Sequence, residues 1–460
     1  MATHSRLVPL IVASPMFLQN IDASAMTTAL PSIATSLGVP PLHLNLIITV
    51  YILSLAVFLP MSGWLADRFG AKRMFCVAIT LFSLASALCG MSTSMTALVT
   101  CRIFQGIAAA MMVPVSRLIL LRSVPPEQIL AAMVWYTVPP VVGRLAGPLV
   151  GGAIVSVASW QWIFFVNIPF GAIAVLLTLL FVHDSGVEGP AQPLDVPGFL
   201  LMAVGLAATL GALDTIGKGL APGWISGLAA TVGAAALGLY GWRSLRQADP
   251  VIDLRILRFR TFRMNVLGAV PLRLALFAVP FLLPLLLQLA FGLSPLVSGL
   301  LTAASAIGSL CTRAVVRWVI GRYGFRHMLL GATVLTGLCF ISYAAFTAAT
   351  PHLLIFSLMF AGGLLSSLSM VSLNSLGFVD MPKERLSHAT ALLTMAQQVT
   401  AGAAVVLATS LLAFFSWWRE GDGHQLLWQD FAASFVTVGL MALLSLISFV
   451  KLPEKEGHAQ

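Results

Sequence analysis

Asp22 stands deep in an apolar run that begins near Leu7, and Arg102, Arg144, Arg273 and Arg313 stand inside four other such runs. A charge in that setting is costly unless it meets a partner or a wet cavity, so each one marks a candidate site. A carboxylate there can hold or release a proton, since burial strengthens proton binding by an acid and a nearby arginine weakens it. A motion that changed the distance from Asp22 to Arg102 or Arg144 would then change its hold on a proton. A permanent salt bridge holding the helices together is the other reading of Asp22. Gln105 and Gly106 follow Arg102 at the i+3 and i+4 positions that share its face. Arg102 could instead snorkel to the nearer interface.

Arg273 shares its run with Pro271, Pro280 and Pro284, and kinks together with a charge predict a moving, cavity-lining element. Arg313 shares a face with Arg317 and could reach the interface instead. Chemistry of other kinds finds little support. There is no HExxH, no GxSxG and no buried pair of aspartates, so an enzyme is not expected. Cys76, Cys89, Cys101, Cys311 and Cys339 show no CxxC spacing and no companion histidines, which argues against disulfides and metal sites. No cofactor is expected.

The elements that must position these residues follow from composition. Of 460 residues 59% are hydrophobic and 9% charged, and the mean hydropathy is +0.97. A soluble surface needs about 25% charged residues, so the chain reads as a membrane protein, and its long apolar runs predict helices rather than barrel strands. Punctuation between the runs gives fourteen spans, near 8–29, 44–66, 74–92, 96–120, 130–157, 161–182, 196–216, 223–242, 264–289, 296–319, 327–348, 353–378, 389–415 and 430–450. The first is too long for a cleavable signal. Seventeen loop Lys and Arg fall on the side of the termini, against Lys218 and Arg419 on the other, which predicts that both termini are cytoplasmic. The net charge of +9 is thereby read as topology rather than as affinity for nucleic acid.

Two stretches repeat. Gly63 through Met74 aligns without a gap on Arg317 through Met328, and each follows the second span of its half. Duplicated halves are a transporter architecture, with the substrate site near the midplane between them. The expected division is a six-helix half over 1–184, two extra helices over 185–243, a basic linker over 244–263 and a second six-helix half over 264–460.

The run Gly63-x-Leu65-Ala66-Asp67-Arg68-x-Gly70-x-Lys72-Arg73 resembles the loop motif between the second and third helices of the major facilitator superfamily. The glycines permit a tight turn, and Asp67 beside an arginine can form a charge-assisted lock. Anchoring by Arg68, Lys72 and Arg73 is the plainer reading. Leu98-x-x-x-Arg102-x-x-Gln105-Gly106-x-x-Ala109-Ala110 resembles the superfamily's helix-four motif, whose arginine is linked to proton coupling. Gly143-x-x-x-Gly147-Pro148-x-x-Gly151-Gly152 is similar to its antiporter signature, although close helix packing explains the glycines equally well.

Ile21 through Ser24, Trp160 through Pro169, and Asp249 through Phe262 are similar to stretches of the fourteen-helix drug/proton antiporter branch. The resemblance implies an all-α major facilitator fold of fourteen transmembrane helices, arranged 6+2+6. It further implies a monomeric, lipid-embedded multidrug efflux antiporter of the bacterial inner membrane, exchanging a small molecule for protons. Proton coupling would fall to Asp22 and Arg102, and the substrate cavity to Arg144, Arg273, Arg313 and Gln105. The excess of buried arginine over carboxylate focuses a positive potential, which favours organic anions or metal-carboxylate chelates over lipophilic cations. A facilitator without proton coupling is the remaining alternative.

Overall fold

The computed structural model describes residues 4–124, 132, 135–136, 138–182, 194–215, 222–247, 250–377, 381–382, 386–420 and 426–451. Every regular element among them is helical. Thirteen segments among the described residues are long and apolar enough to cross a membrane. With α1, His4–Leu37, which carries Pro9, Pro15 and Pro31, the number is consistent with fourteen spans. The chain divides into two compact units, Met1–Leu200 and Leu201–Gln460.

In the first unit, α2 (Asn45–Phe58) and α3 (Met61–Phe69) lead to α4 (Ala71–Gly90) and α5 (Met95–Ser123). Helix α4 shows how sequence selects orientation when both faces are apolar. Phe75, Ile79 and Phe82 are fully buried, while Val77, Leu81, Leu84 and Leu88 form a stripe 40–57% exposed. Water would penalise that stripe, and lipid does not.

Next come α6 (Val138–Val157), the short α7 (Trp162–Phe165) and α8 (Asn167–Phe181). Helix α6 lies against α1 along a seam of glycines. A Cβ at Gly143 would come 2.6 Å from the Phe17 carbonyl oxygen, one at Gly147 would enter the Ser24 side chain, and one at Gly151 would stand 2.6 Å from the Ala25 Cα. Each would force the helices apart. Gly147→Leu is therefore expected to cost about 1–3 kcal/mol of stability or to abolish folding, read as loss of the monodisperse peak in detergent chromatography.

Helix α9 (Val196–Thr215) carries the chain across the boundary between the units. The second unit continues with α10 (Gly223–Arg246), a 3₁₀ turn at Leu254–Arg258, and α11 (Arg260–Arg263). After a π-helical turn over Met264–Gly268 come α12 (Val270–Leu285), a second π-turn over Leu286–Ala290, and α13 (Pro295–Ser342). Helices α14 (His352–Leu376), α15 (Leu386–Glu420), α16 (Trp428–Leu444) and α17 (Leu446–Phe449) complete it. Buried Tyr343 packs edge-on against Phe435, with ring centroids 5.7 Å apart.

The two copies of the repeat differ in backbone and agree in one contact. Gly70 turns the first copy with φ +88°, where an L side chain would be strained, while the second copy stays helical within α13. The two separate helices expected at 296–319 and 327–348 are thus joined in one continuous element. Lys72 aligns with Arg326. Lys72 Nζ donates to the Leu179 carbonyl in the last turn of α8 at 3.1 Å, and Arg326 Nη2 donates to the Val450 carbonyl just past α17 at 3.0 Å. In each unit the base of the repeat satisfies a carbonyl that a helix end leaves unpaired, where a cation is also favoured by the helix dipole.

Candidate functional site

Helix α5 starts at Ser94, whose hydroxyl accepts from the Ala97 amide at 3.3 Å. Two turns later the chain delivers Arg102 and Gln105 to one buried face. Gly106 lets this face approach α2, since a Cβ there would lie 2.5 Å from the Tyr51 carbonyl oxygen. Arg102, Gln105, Asp22, Asn167 and Ser86 are each at most 1% exposed. Five side chains from four helices meet there.

Arg102 Nη1 donates to Asp22 Oδ2 at 2.5 Å and to Gln105 Oε1 at 2.9 Å. Gln105 Nε2 and Asn167 Nδ2 approach Asp22 Oδ1 at 3.5 and 3.2 Å. Asn167 Nδ2 also donates to Ser86 Oγ at 2.9 Å, and Ser86 Oγ donates to the Phe164 carbonyl at 2.9 Å. The guanidinium lies over the rings of Phe164 and Tyr51, 4.7 and 5.4 Å from their centroids, adding cation–π attraction. Cys89 Sγ donates to Gln105 Oε1 at 3.8 Å. An ionised carboxylate only accepts, and here every group facing Asp22 donates.

Asp22, Arg102 and Gln105 are brought together, so Arg102 faces a partner rather than snorkelling. Asn167 and Ser86 carried no role in the sequence reading. A signal for Asn167 was present, because it lies within the Trp160–Pro169 stretch and is a polar side chain at the start of an apolar helix. Ser86 gave none, being one small residue among many.

The loop motif has a different geometry from the one its sequence suggests. Asp67 Oδ1 pairs with Arg122 Nη2 at 3.5 Å, from the end of α5, and is half exposed. Its neighbour Arg68 lies over the rings of Trp64 and Phe69, at 5.3 and 5.8 Å. Gly63 and Arg73 are exposed. The adjacent arginine is turned away because consecutive helical residues point in different directions, whereas the α5 terminus lies beside α3. An exposed pair of this length contributes about 0–1 kcal/mol, so Asp67→Asn should leave insertion and folding intact. A gate role predicts slower transport in that variant, measured as initial flux in vesicles, and parental flux would leave the motif as an anchor.

The remaining arginines separate. Arg144 stands next to the glycine seam with an exposed side chain, near Pro148 and buried Gly152. Arg273 is fully buried. Its Nη1 donates to the Asn265 carbonyl at 2.7 Å, its Nη2 donates to Asn265 Oδ1, and Asn265 Nδ2 donates to the Leu373 carbonyl at 2.7 Å. Arg273 was expected to line a cavity, and instead the structure encloses it. The physical reason is local: Asn265, in the π-turn at Met264–Gly268, supplies two acceptors to the guanidinium, one from its backbone and one from its side chain. The side chain of Arg313 lies outside the described residues. Asp430, not among the candidate residues read from the sequence, is 1% exposed and receives both Nε and Nη2 of Arg419 at 3.1 Å.

No group of three or more His, Cys, Asp or Glu among the described residues could hold a metal ion. Comparison with known proteins gives a consistent placement. The family model described as Major Facilitator Superfamily matches residues 15–405 and 266–460. The MdtD protein of Klebsiella pneumoniae, named for multidrug resistance, is 38% identical over 446 residues, covering 96% of this chain and 92% of its own. Its namesake in Salmonella typhimurium is 35% identical over 444 residues, covering 96% and 94%. Among solved structures, the POT family transporter PepTSo superposes with a TM-score of 0.71 at 14% identity over 97% of each chain, a likeness of fold. With its helices, its motifs and its relatives in agreement, the chain belongs to the major facilitator superfamily and is a multi-pass membrane transporter of small molecules, not an enzyme.

Proposed function

We propose that this transporter is a proton-coupled efflux antiporter of the multidrug type, with Asp22 as its proton site and Arg102 and Gln105 as the groups that set Asp22's hold on a proton. The observation that carries this reading is the buried Arg102–Asp22 contact of 2.5 Å. A carboxylate matched to one guanidinium and isolated from water can trade that partner for a proton, so a movement of α1 against α5 links proton binding to conformation. A permanent salt bridge would keep the same partner in every conformation and could not link the two. The resistance label of the bacterial relatives supports export, and a bacterial inner membrane as the location.

The Lys and Arg asymmetry supports cytoplasmic termini. The division into 1–184, 185–243, 244–263 and 264–460, and a monomer, complete the reading. In proteoliposomes loaded with ethidium, efflux is expected to require an opposing proton gradient. Equal efflux after the gradient is collapsed by a protonophore would leave a facilitator.

A second reading concerns substrate charge. Asp22 is occupied by Arg102, while Arg144 is exposed inside a transmembrane helix. That arrangement favours an anionic or chelated substrate. Arg144→Ala should then reduce carboxyfluorescein export several-fold more than ethidium export. An equal effect on both dyes would remove the anionic reading.

A further inference from the structure

We propose that the side-chain amide of Asn167 is the positioning element that reads whether Asp22 carries a proton, by turning over from donor to acceptor. The inference rests on the reading of Asp22 as the proton site. Asn167 is fully buried at the start of α8, and its two polar atoms are unequally placed. Nδ2 serves both Asp22 Oδ1 and Ser86 Oγ, at 3.2 and 2.9 Å, whereas Oδ1 has no hydrogen-bond partner among the described residues. A buried amide oxygen left idle is uncommon and unfavourable. The orientation suits an ionised Asp22, which can only accept.

Protonation reverses the demand. The proton belongs on Asp22 Oδ1, because Oδ2 is held by Arg102, and the new hydroxyl then needs an acceptor. Two amide oxygens are near. Gln105 Oε1 already receives Arg102 Nη1 at 2.9 Å and Cys89 Sγ at 3.8 Å. Asn167 Oδ1 is free of such ties. The terminal torsion of an asparagine is broad and roughly two-fold, so a half-turn of the amide exchanges its oxygen and nitrogen without moving the backbone. Oδ1 then faces both the Asp22 hydroxyl and Ser86.

Ser86 must respond. Its hydrogen now points to the Phe164 carbonyl at 2.9 Å, and after the half-turn it can donate to Asn167 Oδ1 instead. The proton stays on Asp22, no covalent bond elsewhere changes, and the Phe164 carbonyl loses the Ser86 hydroxyl as a donor. Phe164 is also the residue whose ring covers the Arg102 guanidinium at 4.7 Å. Occupancy of an acid on α1 is thereby passed to α4 and to α7. The other titratable or charged groups around Asp22 are Arg102 of α5, Tyr51 of α2 and Cys89 of α4, with Arg144 on the flank of α6. None of them offers an idle acceptor in contact with Asp22 Oδ1.

Infrared difference spectra of the intact protein in lipid, recorded between high and low pH with ¹³C-labelled asparagine side chains, test this directly. There are five asparagines, Asn20, Asn45, Asn167, Asn265 and Asn374, so the labelled carbonyl bands are few. The expected result is a labelled band that shifts to lower frequency in step with the Asp22 carboxylic acid band and is absent in both Asn167→Leu and Asp22→Asn. Asn167→Ser identifies the band if the leucine variant does not fold. That variant can donate or accept, so it should still let Asp22 titrate with a proton affinity within about threefold of the parent. An Asp22 band that titrates while no Asn167 band moves would overturn the proposal and leave the proton site standing. Absence of any titrating Asp22 band would overturn both.

Discussion

Asp22→Asn is expected to abolish proton-driven accumulation and to leave downhill exchange of substrate. Asparagine nearly matches the shape of aspartate, and its Oδ1 can still accept from Arg102 or Asn167, so the helices keep their packing. What disappears is the only titrating oxygen pair in the cluster. Linkage requires a group whose proton occupancy differs between conformations, and without one the two gradients are uncoupled. The measurement is a pair of assays on one preparation: substrate movement against its gradient with an imposed pH difference, and counterflow at equal pH. Loss of the first with survival of the second is the expected pattern. Full concentrative transport by the variant would move the proton site elsewhere, with Asp214, 3% exposed in α9, the next candidate.

Arg102→Met should have the largest effect on stability. Removing the guanidinium leaves Asp22 buried without its counter-charge and strips donors from Gln105 and the Asp22 carboxylate together. Breaking a buried pair in this way costs about 3–5 kcal/mol, much of it the penalty on the charge left behind. The cost should therefore depend on the partner. In the double variant Asp22→Asn/Arg102→Met no buried charge remains, and more than half of the lost stability should return. Reversible unfolding in mixed micelles measures all four corners of this cycle. Strict additivity of the two single effects would show that Arg102 and Asp22 do not interact energetically, whatever their separation.

Much of the molecule was legible in the sequence. Helices were readable because spanning a bilayer demands long apolar runs, and a residue's hydropathy is a local property. Asp22 and Arg102 were legible as candidates for the same reason, since an ion in such a run is conspicuous. Family membership was legible in motifs whose glycines and charges sit at fixed local offsets. Two local backbone features were not legible. The second copy of the repeat does not break its helix, and the π-turn over Met264–Gly268 was invisible because the weak helix formers Asn265 and Gly268 do not by themselves specify an i→i+5 turn.

Partner choice belonged to the tertiary structure. Asp22 had Arg102 and Arg144 as possible partners, and packing gave it the one 80 residues away on α5. Asp67 had Arg68 beside it in sequence and received Arg122. Arg273 found its acceptors on an asparagine eight residues earlier. Asn167 gained its place only because α8 crosses both α1 and α4. Sequence alone therefore determined which side chains enter the membrane and at what depth, because hydropathy acts residue by residue. Which of them touch was decided by the rotation and register of each helix against its neighbours, set by close fits such as Gly147 against Ser24 that no single segment encodes.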